Sequence, residues 1–239
     1  MRINKYLAQC GVASRRACEQ LVLDGRVKKG GRVISDLATD IKEDDIITVD
    51  GVKVELTRTH TYLMLNKPKG YVCTTSDEKG RKTVIDLIKG DEYADKRIFP
   101  VGRLDYDTEG LLLLTTDGDA ANRLTHPSYE ISKTYVAKIE GEIEESELAK
   151  IRAGIMLDGV KTKRCKARQL DLEEHNGKKI SRIEIVISEG RNRQVRRMFE
   201  GINREVIFLK RIAIGNIRLG GLSRGSYREL RPQELKELR

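Results

Sequence analysis

The most apolar stretch of the chain is Leu111–Leu114, four consecutive leucines that run into two threonines. This stretch is too short for a helix of ordinary length and is bounded by Gly110 and Gly118, so the pattern predicts a β-strand buried on both faces. The loop before that strand contains Arg103 and Asp105. Charges beside so apolar a strand suggest a functional site, although acids in loops are more often turn formers.

The first sixty residues predict two short helices followed by a small sheet. Apolar residues recur at helical spacing over residues 2–9, and Gly11 ends that run as a helix-terminating glycine does. Ser14 has the position of an N-cap for a second helix, which Asp24 and Gly25 close. A hairpin turn at Gly30 and Gly31 and one further strand follow.

The remaining sequence predicts a larger domain with a mixed, mainly antiparallel sheet, which gives an α+β fold class. Residues 54–60 are polar and lack periodicity, so we expect one domain over residues 1–58 and a second over 59–239. Clean alternation over residues 180–188 indicates antiparallel strands with one solvated face. Strands are predicted over 62–65, 71–75, 111–116, 132–139, 160–172, 180–188 and 206–219, and helices over 83–88, 120–124, 144–153, 195–202 and 234–238.

The composition is that of a globular protein. The 239 residues are 38% hydrophobic and 35% charged, and no apolar run approaches the ~20 residues that cross a bilayer. We therefore expect a cytoplasmic protein that does not contact a membrane. The four cysteines form no CxxC pair and the three histidines are scattered, so neither a metal site nor a disulfide framework is expected.

The positive charge is concentrated in two places. Residues 1–32 hold eight Lys/Arg against two acids, residues 33–57 hold two against seven, and residues 191–224 hold nine against two. The net charge of +9 favours an anionic partner, of which nucleic acid is the commonest, although another kind of basic enzyme stays open. Two separate basic segments suggest two contacts on one polymer.

The N-terminal sequence RINKYLAQCGVASRRACEQLVLDGRVKKGGRVISD, followed by DDIITVDG, resembles the ribosomal-protein S-four-like RNA-binding module over about residues 1–52. The resemblance implies that the two helices dock on structured RNA through shape and phosphate contacts. Such modules occur in unrelated enzymes and in plain RNA binders, so the second domain must decide the activity. The cations expected to contact RNA are Arg2, Lys5, Arg15, Arg16, Lys28 and Arg32.

Two further side chains stand out in the second domain. Tyr135 lies in an alternating strand pattern and shares a face with Lys133. Four arginines fall within RNRQVRR at the start of a predicted helix, and Arg196 is placed to flank the apolar face of that helix. From spacing alone, Tyr135 is equally well an ordinary aromatic of a half-buried strand, and the arginines are more often a solvated or phosphate-binding face.

The segments NKPKGYVCTTSD, GRLDYDTEGLLLLTTDGD, KTY and EGRNRQVRRM are similar, in order and spacing, to the motifs of the RsuA/RluB family of ribosomal RNA pseudouridine synthases. The resemblance spans nearly the whole chain and implies a pseudouridine synthase fold for the second domain. It implies that Asp105 is the catalytic aspartate, Tyr135 the active-site aromatic and Arg196 the partner of Asp105. Arg103 would lie near the flipped base, while Arg191, Arg193 and Arg197 would bind RNA.

This reaction breaks the bond between C1′ and N1 of uridine, turns the uracil and reattaches it through C5, so we expect no cofactor. The carboxylate acts either as a nucleophile at C1′ or as a base that removes a sugar proton. Both roles need an ionised Asp105, which a neighbouring Arg196 would favour. The turn-former interpretation is kept for four other acids, Asp107, Glu109, Asp117 and Asp119.

The expected partner is ribosomal RNA. The segment RNRQVRR is more similar to large-subunit enzymes than to small-subunit ones, so we expect the target to be 23S RNA. We also expect the substrate to be a stem-loop and the enzyme to be a monomer. A small-subunit 16S enzyme and a non-catalytic RNA-binding protein of ribosome assembly are the alternatives.

Overall fold

The computed structural model describes residues 1–57, 59–88, 92, 93 and 96–238. Two compact units are present: the first is Met1–Thr61 with short segments around Ile98 and Thr116, and the second is the rest of the chain from Tyr62 onward. Residue 58, where the sequence places the domain boundary, lies outside the described residues. The division after that residue stays a prediction.

The first unit consists of two helices and a small antiparallel sheet. Ser14 Oγ accepts a hydrogen bond from the Ala17 amide at 3.0 Å, which confirms the predicted N-cap. Both helices bury apolar side chains, such as Leu7 and Val22, against Ile47 of the sheet. The elements are α1 (Ile3–Gln9), α2 (Arg15–Leu23), β1 (Val27–Lys29), β2 (Arg32–Val33), β3 (Ile47–Val49) and β4 (Val52–Lys53), with strand order β2-β1-β3-β4.

The second unit is built on a large sheet with helices packed against it. A short 3-10 helix at Val84–Leu87 is capped by Thr83. The elements are β5 (Tyr62–Lys67), β6 (Phe99–Val101), β7 (Glu109–Thr115), α3 (Gly118–Thr125), β8 (Lys133–Glu140), α4 (Glu145–Ala153), β9 (Met156–Leu157), β10 (Val160–Lys161), β11 (Lys166–His175), β12 (Lys178–Ile187), α5 (Gln194–Glu200), β13 (Val206–Ile214), β14 (Ile217–Arg218), β15 (Tyr227–Glu229) and α6 (Pro232–Lys236).

The strand order of the large sheet is β11-β12-β8-β13-β7-β5-β15, and β6 and β14 pair with β7 and β13. The pair β7 and β13 is parallel, whereas β11, β12, β8 and β13 form an antiparallel series. The predicted mixed, mainly antiparallel α+β fold is therefore confirmed. Every residue of β7 is buried, so the leucine strand lies in the sheet interior as predicted.

Three predicted strands are wrong. The strand predicted over 206–219 is divided into β13 and β14, because the chain turns at Gly215 and Asn216 and the two strands pair as a hairpin. Residues 71–75 form bends with one isolated bridge, because Thr74 Oγ1 bonds the backbone of Ser76 and turns the chain locally. The strand predicted over 160–172 is interrupted between β10 and β11. There the amide of Thr162 donates to the Ile155 carbonyl and that of Cys165 to the Arg152 carbonyl, which ties the chain to the end of α4.

One core of this unit lies between the sheet and the helices α4 and α5. Ile151 of α4 and Met198 and Phe199 of α5 pack against Ala137 and Ile185 of the sheet. This packing fixes α5 beside the carboxyl end of β12. Among the described residues, no helix has the length and apolar character needed to cross a bilayer.

Candidate active site

A cavity of about 360 Å³ opens in the second unit, a size suited to one nucleotide base. Its walls come from the loop before β7, the start of β8, the end of β12 with the residues before α5, and β13. The side chains that matter below are Arg103, Asp105, Lys133, Tyr135, Arg191, Arg193 and Arg211. The structure thus brings Asp105 and Tyr135, predicted from separate motifs, to one cavity.

The loop that carries Asp105 is held from below by Lys67, the last residue of β5. Lys67 is fully buried, and its Nζ donates to the carbonyl oxygens of Asp105 at 3.0 Å, Thr108 at 2.9 Å and Pro68 at 3.2 Å. Three acceptors match the three N–H bonds of the ammonium group. Burial lowers the pKa of Lys67, against the opposing effect of nearby Cys73 and acidic groups.

Cys73 and Gly102 also shape this loop. The Cys73 thiol donates to the Leu104 carbonyl and accepts from the Leu104 amide, both at 3.3 Å, and burial raises the pKa of this thiol. Gly102 has φ +70°, and a Cβ there would meet Thr125 Cγ2 at 3.2 Å. The Asp105 backbone is therefore fixed on several sides. Its half-buried carboxylate lines the cavity and accepts no hydrogen bond from the described residues.

Tyr135 is paired across the sheet with Arg211, a residue to which the sequence assigned no role. Arg211 is buried; its Nε donates to the Leu111 carbonyl at 2.8 Å and its Nη1 to Tyr135 Oη at 3.5 Å. The guanidinium carbon lies 6.0 Å from the centre of the tyrosine ring. The available signal was a charge inside an apolar strand pattern, but a partner for that charge could not be read from the sequence.

Arg196 is placed differently from the prediction. It is buried as expected for a flank residue of α5, but its Nη1 donates to the Val206 carbonyl at 2.6 Å and its Nη2 to the Asp107 carbonyl at 3.1 Å. Its charge partner is the Asp107 carboxylate at 3.3 Å. The expected pair with Asp105 is thus replaced by a pair with Asp107, because the loop turns Asp107 toward α5.

Asp107 is therefore more than a turn former. Arg193 also contacts it, with Nη1 3.2 Å from Oδ1 and Nη2 3.3 Å from Oδ2. Burial would raise the pKa of Asp107, but the Arg193 hydrogen bonds and the charges of Arg196 and Arg193 outweigh it and lower that pKa below its usual value. The carboxylate of Asp107 thus ties the Asp105 loop to α5.

Of the four arginines predicted to bind RNA in this unit, three line the cavity and one does not. Arg103, Arg191 and Arg193 line the cavity, and Arg103 is exposed. Arg197 does not line it. Its guanidinium makes two hydrogen bonds to the Asp158 carboxylate, at 2.9 and 2.6 Å.

The predicted RNA-binding cations of the first unit lie on its surface, except that Lys5 is half-buried. The exposed ones are Arg2, Arg15, Arg16, Lys28 and Arg32. Arg15 and Arg16 occupy the first turn of α2, directly after the capping Ser14. Their exposure leaves them accessible to a phosphate backbone.

Comparison with known proteins gives the class of this site. Residues 61–201 match the family model described as RNA pseudouridylate synthase, and residues 1–47 match that of the S4 domain. The first match covers more than half of the chain, and both agree with the resemblances found in the sequence. The chain belongs to the RNA pseudouridylate synthase family, with an N-terminal S4 domain, and is an isomerase of uridine in RNA.

The similarity to individual relatives extends over the whole chain. The chain is 49% identical over 238 residues to the ribosomal large subunit pseudouridine synthase B of Bacillus subtilis (strain 168), with 100% of this chain and 95% of the relative covered. It is 44% identical to an uncharacterized RNA pseudouridine synthase of Aquifex aeolicus (strain VF5), with 100% and 93% covered. A crystal structure of a pseudouridylate synthase superimposes with a TM-score of 0.71 at 31% identity, covering 100% of both chains.

Proposed function

We propose that this protein converts a uridine of large-subunit 23S ribosomal RNA to pseudouridine, with Asp105 as the catalytic carboxylate. The observation that carries the proposal is the position of Asp105: it lines a cavity large enough for a base, its carboxylate accepts no hydrogen bond from the described residues, and Tyr135 lines the same cavity. The identity to a Bacillus subtilis large-subunit enzyme supports the choice of RNA. The substrate is a stem-loop, and the enzyme acts as a cytoplasmic monomer.

The uridine must leave its helical stack to reach Asp105, which costs a few kcal/mol. Arg103 is exposed at the rim, two residues before Asp105, and fills or braces the gap left in the RNA. Tyr135 stacks on the extruded uracil and retains it while it turns. Arg191 and Arg193 at the cavity and the exposed cations of the S4 domain contact phosphates, which offsets the cost of extrusion and sets the register.

Asp105 acts at the sugar. As a nucleophile it forms a bond to C1′ while the electron pair of the C1′–N1 bond leaves with the uracil; as a base it removes a sugar proton to give a glycal. In both routes the uracil departs as an anion, turns, and forms a new bond from C5 to C1′. In the first route this bond displaces the Asp105 carboxylate from C1′, and in the second the proton held by Asp105 returns to the sugar. The C5 proton is then lost and N1 gains a proton, so the reaction is an isomerisation without net redox change.

Mapping pseudouridines in ribosomal RNA from cells with and without this protein tests the proposal. We expect one or a few positions of 23S RNA to lose pseudouridine in the deletion strain and to regain it with the wild-type gene. Loss of pseudouridine confined to 16S RNA would show that the target is the small-subunit RNA instead. An unchanged pseudouridine map in both RNAs would contradict the proposal.

A further inference from the structure

The hairpin of β9 and β10 presents an exposed apolar residue beside an exposed cation. Met156 and Lys161 are directly opposite each other in this pair, so their side chains are neighbours on one face. Met156 is 60% exposed and Val160, near the turn, is 58% exposed, while Leu157 is buried in the core. Methionine and valine so exposed, on a two-stranded hairpin, gain nothing for the fold.

This hairpin is fixed to the wall of the active-site cavity. Arg191, which lines the cavity, donates from Nη1 to the Val160 carbonyl at 2.9 Å and from Nη2 to the Lys161 carbonyl at 3.0 Å. Arg197 holds Asp158 of the turn. At the base, Thr162 Oγ1 accepts from the Ile155 amide at 3.0 Å. The exposed face therefore has a set position next to the cavity.

The chain after the hairpin adds positive charge. Residues 161–164 read KTKR, and all three cations are exposed. Lys163 pairs with Glu130, and its amide donates to Oε1 of Glu189, a cavity residue, at 3.0 Å. Lys161 and Arg164, in contrast, form no ion pair within the described ranges of the chain. Their charges are left for an external anion.

From this arrangement we infer that the hairpin, together with Lys161 and Arg164, is a contact surface for the RNA strand that flanks the extruded uridine. Lys161 and Arg164 bind phosphates, and Met156 packs against a base or ribose. Unpaired cations and an exposed apolar side chain on one hairpin and its continuation fit a nucleic acid strand, which presents both phosphates and bases. The inference rests on the proposed function, because the strand is that of the substrate.

The test measures affinity of the full-length protein for an unmodified in vitro transcript of 23S RNA at several salt concentrations. For Lys161→Ala/Arg164→Ala we expect about tenfold weaker binding near physiological salt and a slope of log K against log salt smaller by about 1.5, because each lost phosphate contact removes about 0.7 to 0.9 from the slope. Met156→Ala should weaken binding several-fold with an unchanged slope, and Met156→Leu should restore it.

The matched control is Lys178→Ala/Lys179→Ala, which removes the same charge from the opposite end of β12, about 30 Å from Ile187 at the cavity. It should bind and react nearly as the wild type does. Equal affinity and slope for the two double variants would overturn the inference, as would an unaltered affinity for Met156→Ala. Wild-type protein that binds the transcript but forms no pseudouridine in it or in cells would contradict the proposed function instead.

Discussion

Arg196 is paired with Asp107: its Nη2 lies 3.3 Å from Asp107 Oδ2 and donates to the Asp107 carbonyl at 3.1 Å. The buried guanidinium group of Arg196, in α5, therefore binds the loop two residues after Asp105. Arg193 contacts the same carboxylate from the exposed side. Asp107 thus pairs with both arginines, whereas the Asp105 carboxylate pairs with neither of them.

This pairing predicts a pH-dependent contribution of Asp107 to stability. We expect Asp107→Asn to lower the free energy of unfolding at neutral pH by at most about 1 kcal/mol, since the carboxylate is 43% exposed and solvent screens it. The pKa of Asp107 is lower in the folded state than usual. Its contribution is therefore full above about pH 4 and is lost as the pH falls through the folded-state pKa.

Urea unfolding of the wild type and Asp107→Asn at about pH 7 and about pH 3 checks this. The difference between the two proteins should be larger at the higher pH and should shrink at the lower one. The same difference at both values would show that the carboxylate charge is not responsible.

Replacing Lys67 should destabilise the protein more than replacing Asp107. Lys67→Met keeps the size of the side chain but leaves three carbonyl oxygens, one buried and two partly buried, without their donor, which should lower the free energy of unfolding by about 2–4 kcal/mol. The catalytic loop should also lose its position, so that turnover falls at least about tenfold. The control is Lys69→Met, two residues on, where the lysine is exposed over the Phe208 ring. Similar stability in both variants, measured by denaturant unfolding, would be inconsistent with this role for Lys67.

The close approach of β7 and β13 at Gly110 leaves no room for a side chain. Its φ is +106°, and a Cβ would lie 2.1 Å from the Arg211 carbonyl oxygen, so Gly110→Ala must separate two paired strands. We expect a loss of at least about 3 kcal/mol of stability or an insoluble protein. Gly118→Ala, at an open position in the first turn of α3 with no positive φ, should be neutral or slightly stabilising. Thermal unfolding compares them, and equal midpoints would refute the clash.

Tyr135 and Arg211 predict energetic coupling in the reaction. Their side chains meet at 3.5 Å across two strands, so Tyr135→Phe and Arg211→Lys should each slow single-turnover pseudouridine formation. The double variant should lose about 1 kcal/mol less transition-state stabilisation than the sum of the single losses. Strict additivity, within about 0.3 kcal/mol, would mean that the two residues act independently.

Local patterns predicted most of the elements. The four leucines indicated β7, and the Ser14 cap with apolar spacing indicated α2, because these signals depend on residues that are close in sequence. The strand predicted over residues 71–75 is absent because Thr74 Oγ1 bonds the backbone of Ser76, which a strand pattern does not reveal. The break between β10 and β11 likewise depends on hydrogen bonds to the end of α4, which a pattern confined to residues 160–172 does not reveal.

The sequence predicted only part of the site, because several of its contacts join residues that are far apart in the chain. Asp105 and Tyr135 were found through their motifs and lie in one cavity. Lys67 and Arg211 were missed because a buried charge is plausible only once its partners are known. Those partners lie mainly in the loop before β7 for Lys67, and in β7 and β8 for Arg211. The pairing of Arg196 with Asp105 was implied by the family resemblance, and the pair with Asp107 was missed because it depends on how the loop turns between two carboxylates only two residues apart.

If the Asp105 carboxylate performs the chemistry, Asp105→Asn should abolish the reaction without abolishing RNA binding. The measurement is pseudouridine formation in an unmodified 23S RNA transcript under single-turnover conditions, with RNA affinity measured on the same samples. We predict affinity within about twofold of the wild type and no detectable pseudouridine, because the amide keeps the shape but not the reactive oxygen anion. Substantial turnover by Asp105→Asn would contradict the account.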